Sequence, residues 1–230
     1  GTVNESVFVG QEATVLSTDG FSAVRGFANN QKAFIRGELF SSASTTVNFT
    51  GENTIINISD TGSVTNGGSA LGQRAIFMGN DNAVMHNAGT VSGNVGAYLL
   101  GQATSVVNTG TISSFASTLV GTSMYAVRTL AFSSDESDQI NTIENHGTLA
   151  SNFLAIDADD NPLELEVPSF ARMTTHVVNT GDIIGDIKLG GFDDELRNSG
   201  YINGDIYMGD DDDLYLGQDG RMESNAKIYL

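Results

Sequence analysis

The sequence predicts a single right-handed parallel β-helix, a β-solenoid of about 20 residues per coil, spanning residues 1–230. Three observations predict it. One phrase recurs along the chain: apolar-x-apolar-Gly, a short polar turn, an alternating apolar stretch, then Asn-x-Gly-x-apolar. The glycines that close the phrase return at intervals near 20 residues. No window of eleven residues or more keeps the 3.6-residue apolar spacing of a helix.

The copies follow in order. Val7-Phe8-Val9-Gly10 leads to Asp19-Gly20, Ile76-Phe77-Met78-Gly79 to Asn87-Ala88-Gly89, and Tyr98-Leu99-Leu100-Gly101 to Asn108-Thr109-Gly110. Ile187-Lys188-Leu189-Gly190 leads to Asn198-Ser199-Gly200, and Ile206-Tyr207-Met208-Gly209 to Gln218-Asp219-Gly220. Weaker copies run from Gly26 to Gly37 and from Gly51 to Gly62. Asn145-His146-Gly147 and Asn179-Thr180-Gly181 add two closing corners. A leucine-rich repeat needs a denser Leu frame than this chain has, so the short strands and Gly/Asn turns favour a solenoid. Asn-x-Gly suits a corner because both residues tolerate left-handed backbone. Coils stacked about 4.8 Å apart bring equivalent residues together. Asn87, Asn108, Asn145, Asn179 and Asn198 are thus expected to form an amide ladder. If insertions are ignored, the length corresponds to about 11 coils at that period.

Regular coils are expected over residues 1–112 and again over 177–230. Between them the phrase breaks twice, and loops or enlarged coils are expected at about 113–140 and 150–176. The chain ends on an uncapped strand, Ala226-Lys227-Ile228-Tyr229-Leu230, which reads as part of something longer.

Composition restricts the partners. The formal net charge is -18, from 10 Lys and Arg against 28 Asp and Glu. Such a field repels nucleic acid and anionic lipid. Charged residues make up only 17% of the chain, so Asn, Ser, Thr and Gly supply most of the polar surface. There is no cysteine, hence no disulfide frame and no thiolate metal site. No apolar run is long enough for a membrane-spanning helix.

The corner phrases Asn108-Thr109-Gly110-Thr111-Ile112-Ser113, Asn179-Thr180-Gly181-Asp182-Ile183 and Asn198-Ser199-Gly200-Tyr201-Ile202 resemble the passenger domains of bacterial autotransporters. They are similar also to large β-helical adhesins and haemagglutinin-like exoproteins. The resemblance covers most of the chain outside the two breaks. It implies export to the bacterial cell surface and a non-catalytic role in attachment or self-association. The partner would be a host or neighbouring cell-surface protein, a glycan or a sister molecule. The corner motif itself carries no chemistry.

Three sets of residues are candidates for more. Asp193 and Asp194 occupy the same turn as Asp212 and Asp213 one coil later, and stacked carboxylates suit Ca²⁺. The alternative is a set of solvated turns. Calcium would make the chain a calcium-stabilised surface-layer component, although the nonapeptide spacing of known calcium repeats is absent. Asp157, Asp159, Asp160, Glu164 and Glu166 form an acidic loop. With Arg128 or Arg172 nearby, the loop would support a polysaccharide-degrading β-helical enzyme; otherwise it is a binding loop or solvated surface. His86, His146 and His176 hold no common repeat position, which favours corner hydrogen bonds over metal ligation. Phe8, Phe77, Tyr98, Tyr201, Tyr207 and Tyr215 read as core stacks or surface ladders, with a sugar-binding strip of Tyr201, Tyr207 and Tyr215 as the alternative.

Overall fold

The computed structural model describes residues 5–68, 73–114, 124–130, 139–159 and 173–230. These residues form 25 strands and no helix. All pairings between the strands are parallel, and each strand pairs with its equivalent in the coils before and after it. The molecule is a parallel β-helix.

Each coil passes through three faces. In the fourth coil these are Val84–Asn87, Thr90–Gly93 and Val95–Leu100. The first face is a nine-stranded sheet running from Ser6–Val9 to Leu214–Leu216, so the described residues make nine coils. The second and third faces join into one sheet because Thr148–Asp157 and Asp182–Lys188 run through the corner between them.

Alternation along each strand sends every second side chain inward. On the first face, Ala33, Ile56, Met85, Val106, Ile143 and Val177 form one buried column. Leu39, Val64, Val91, Ile112, Leu149 and Ile183 do the same on the second. Val47, Ile76, Ala97, Val127, Ile156 and Ile187 fill the third. The columns belong to one continuous core. β-Branched residues dominate it because their stiff side chains fit a pleated, buried surface.

The structure refines two sequence expectations about coil length. The described residues make nine coils, fewer than the about 11 obtained when the insertions are ignored, because the coil lengths are unequal. Successive ladder asparagines are 21, 37, 34 and 19 residues apart. The long coils are enlarged, and neither break is wholly loop. Tyr125–Leu130 lies within 113–140, yet it is a third-face strand in register with Val95–Leu100. Thr148–Asp157 reaches well into 150–176, and Thr175–Asn179 begins the next coil inside that range. Tyr125–Leu130 lacks the Asn-x-Gly punctuation of the other copies, so the phrase could not mark it, whereas Thr148–Asp157 and Thr175–Asn179 adjoin the corners at Asn145 and Asn179 that the phrase did mark.

A third change concerns the corner glycines. None of Gly89, Gly110, Gly147, Gly181 and Gly200 has positive φ, nor do their ladder asparagines. Glycine is required there by close approach. A Cβ on each of these glycines would overlap the carbonyl oxygen of the corner glycine one coil earlier, Gly62 for Gly89 and Gly110 for Gly147. Left-handed Asn does occur, but at the corner between the third and first faces, where Asn30, Asn53 and Asn82 have φ near 60°.

Candidate functional site

Asn87, Asn108, Asn145, Asn179 and Asn198 occupy the inner corner after the first face, all buried. Each Nδ2 donates to the Oδ1 of the next asparagine at 2.8 Å, from Asn87 through to Asn198. Each of the first four also donates to backbone oxygens, as Asn145 does to Gly147 and Asp182. The ladder is directional and ends at Asn198, whose Nδ2 is buried and has no hydrogen-bond partner among the described residues. The next position, after Leu216 in the strand paired with Glu195–Arg197, is Gly217. The amide ladder expected from the sequence is therefore present, and its polar groups are committed to one another.

A second polar column stands at the opposite end of the first-face strands, and the sequence phrase gave no sign of it. Thr104 donates through its backbone N–H to Asn141 Oδ1 at 2.9 Å. Thr175 donates to Asp194 Oδ1 at 2.6 Å, and Asp194 to Asp213 Oδ1 at 2.9 Å. The only available signal was the polar residue immediately preceding each apolar strand. Here lie the four candidate calcium ligands. Asp194 accepts from Gly190 N–H as well, at 3.1 Å, and Asp193 accepts from Asp212 N–H at 3.2 Å. These carboxylates tie one coil's turn to its neighbour's backbone. Among the described residues, no three His, Asp or Glu side chains converge as a group able to hold a metal ion. Burial pushes the Asp194 carboxyl up to about 8, against the pull of the two amides that bond it. Burial also raises Asp213.

The acidic stretch divides. Asp157 is not a solvated loop residue: it ends a third-face strand, is 3% exposed, and forms an ion pair with Arg128 at 3.0 Å. The two groups meet as charges without hydrogen-bond alignment. Burial raises the Asp157 carboxyl to about 6, with Arg128 opposing the rise. Asp159 pairs with Lys188. Asp160, Glu164, Glu166 and Arg172 lie outside the described residues. Arg128, Asp157 and Lys188 stand in register on successive coils. Opposite charges thereby alternate along the outer row of the third face.

Upstream, the same outer row holds Phe77 and Tyr98, whose rings meet edge to face at 5.4 Å. Arg74 and Arg128 lie 4.5 Å and 5.5 Å from the Tyr98 ring. Val95, Tyr98, Tyr125 and Leu154 form a second buried cluster, separate from the coil interior. Downstream, Tyr207 stacks on Tyr229 at 4.6 Å. Tyr201, Tyr207 and Tyr215 form no common strip. Tyr201 is on the second face and bonds Glu223, Tyr207 is on the third, and Tyr215 turns toward the core from the first.

The histidines separate as well. His146 Nδ1 meets Thr180 Oγ1 at 2.7 Å beside the corner. His86 and His176 point outward from the first face, three coils apart. No helix among the described residues is long and apolar enough to cross a membrane. Comparison with models of known protein families, with curated proteins and with solved structures finds no match to this chain.

Proposed function

We propose that this chain is an extracellular, non-catalytic scaffold of adhesin type, which presents the faces of a stiff rod to a cell-surface partner or to a sister molecule. One observation carries the reading. The ladder asparagines and the turn carboxylates of Asp194 and Asp213 hold coil to coil, while large apolar groups stand in solvent. Phe8, Leu16, Phe21 and Phe27 are each more than 60% exposed, and Phe153 is 55% exposed. Exposed apolar surface on a rigid frame marks a contact surface. The test is attachment. Beads coated with the purified chain should adhere to cells or cluster together, and Phe8→Ser with Phe27→Ser should reduce this without lowering the melting temperature. Coated beads indistinguishable from bare ones would refute the proposal.

One observation favours a second reading, a polysaccharide-degrading enzyme. Asp157 is a buried carboxyl raised toward neutrality beside a guanidinium, a combination common at catalytic sites. If that reading holds, Asp157→Asn abolishes depolymerisation of acidic polysaccharide. If the wild-type chain leaves such polymers intact, it fails.

A further inference from the structure

In a chain of formal charge -18, the outward rows of the first face hold no carboxylate over the first five coils. One row is Ser6, Lys32, Ile55, Val84 and Ser105; the other is Phe8, Phe34, Asn57, His86 and Val107. The first acid in register is Glu144, in the sixth coil. Beside the second row runs a groove of about 320 Å³, bounded on its far side by Arg36, Ser59, Ala88 and Thr109. Small residues at Ser59 and Ala88 keep it open. It follows the rod axis from the second coil to the fifth, a span of about 14 Å at the usual rung spacing.

The lining has a definite chemistry. Phe34, 39% exposed, lines one end of the groove, and Phe8, in register with it on the first coil and 64% exposed, stands just beyond that end. Asn57 and His86 make no side-chain hydrogen bond among the described residues, so an amide and an imidazole are available to a ligand. Arg36 lies 5.6 Å from the Phe8 ring. Neither it nor Lys32 pairs with an acid among the described residues.

We infer that this groove binds an extended oligosaccharide whose rings carry carboxylates. The C–H face of a sugar ring packs on Phe34, ring hydroxyls meet Asn57 and His86, and a carboxylate meets Arg36. A β-linked chain is straight and advances along its axis by a step comparable to the rung spacing, so successive rings meet successive coils. The acid-bearing coils of the molecule repel a polyanion, which favours a stretch whose outward rows hold no carboxylate. The inference names a ligand for the binding role proposed above and rests on that reading.

Calorimetric titration with a β-1,4-linked oligoglucuronate of four rings, and with cellotetraose as its neutral counterpart, tests the assignment. The oligoglucuronate is expected to bind at least tenfold more tightly than cellotetraose. Phe34→Ala and Arg36→Ala, both exposed and melting like the parent, are each expected to weaken oligoglucuronate binding tenfold or more. Tyr207→Ala on the third face should change nothing. Equal affinity for the two saccharides would overturn the carboxylate assignment. An absence of binding at millimolar oligoglucuronate, or unaltered affinity in both groove variants, would overturn the site. Coated beads that still adhere while no saccharide binds would sink the groove alone; saccharide binding without adhesion would sink the adhesive reading alone.

Discussion

In the first three coils, the inner corner after the first face is filled by Val9, Ile35 and Ile58. From the fourth coil to the eighth, the same column is Asn87, Asn108, Asn145, Asn179 and Asn198, with Asn87 directly in register with Ile58. Both fillings are buried, and both end a strand of the same sheet. An aliphatic column needs only volume and tolerates imperfect alignment. An amide column must satisfy every buried donor and acceptor, so it holds its neighbours to one register. Coils separated by 37 and 34 residues, and others by 21 and 19, meet through the same 2.8 Å amide contact. The ladder keeps alignment where coil length varies most.

The largest effect expected is at the corner glycine. Gly147→Ala places a methyl against the Gly110 carbonyl oxygen, and the backbone cannot yield without breaking the stack. A loss of more than about 4 kcal/mol in denaturant unfolding is expected, the range of severe steric damage. Gly10 sits outside that crowded column, with nothing nearer a Cβ than the Phe8 ring at 3.9 Å. Gly10→Ala should therefore be tolerated, and equal damage at both positions would break the distinction.

The asparagines come next. Asn145→Ala leaves the Asn108 amide and the Asn179 carbonyl facing a void, at a cost of about 3 kcal/mol. Ile58→Asn places an amide beside the start of the ladder, where the Asn87 side-chain oxygen can accept a bond. This offsets part of the lost burial, so the cost is expected to be below about 2 kcal/mol. If Ile58→Asn destabilises more than Asn145→Ala, as measured by urea midpoints, the two columns are not versions of one corner.

A smaller effect concerns pH. Between about 4, where an unfolded carboxyl titrates, and about 8, folded Asp194 retains a proton that the unfolded chain has released. The folded state then binds more protons, so stability falls as pH rises through this window. Asp157, raised to about 6, acts in the same direction over a narrower range. The melting temperature should decline from pH 5.5 to pH 9, and Asp194→Asn should flatten the decline. A rise over that range would contradict the placement of both carboxyls. The smallest effect is expected from chelation. The carboxylates of Asp193, Asp194 and Asp213 accept backbone amides, so EDTA should leave the melting temperature unchanged; a drop of several degrees would make calcium a partner of this turn.

The same contrast explains what could be read in advance. Asn-x-Gly is visible as a motif because two independent constraints, the amide ladder and the glycine contact, fall on residues two apart. The corner and its ladder were therefore legible from the fourth coil onward. Ile35 and Ile58 carry only the volume constraint and look like any apolar residue, which is why the copies near Gly26 and Gly51 read as weak. The strand Tyr125–Leu130 and the burial of Asp157 were hidden because both depend on long coils that have no period. Asp194 shows why the sequence alone leaves two readings open: a carboxylate that accepts backbone amides has the same sequence signature as one that coordinates an ion.

The central claim is the register of coil upon coil across the longest gaps, and the absence of cysteine gives a clean background for testing it. Thr111 and Thr148 are partners on the outer side of adjacent coils, at a separation that a disulfide can bridge. Thr111→Cys with Thr148→Cys should cross-link nearly completely on mild oxidation in the folded chain. Thr111→Cys with Ala150→Cys, two residues off register on the same side, should not. Equal cross-linking of the two pairs, or none for the first, would contradict the stacked-coil account.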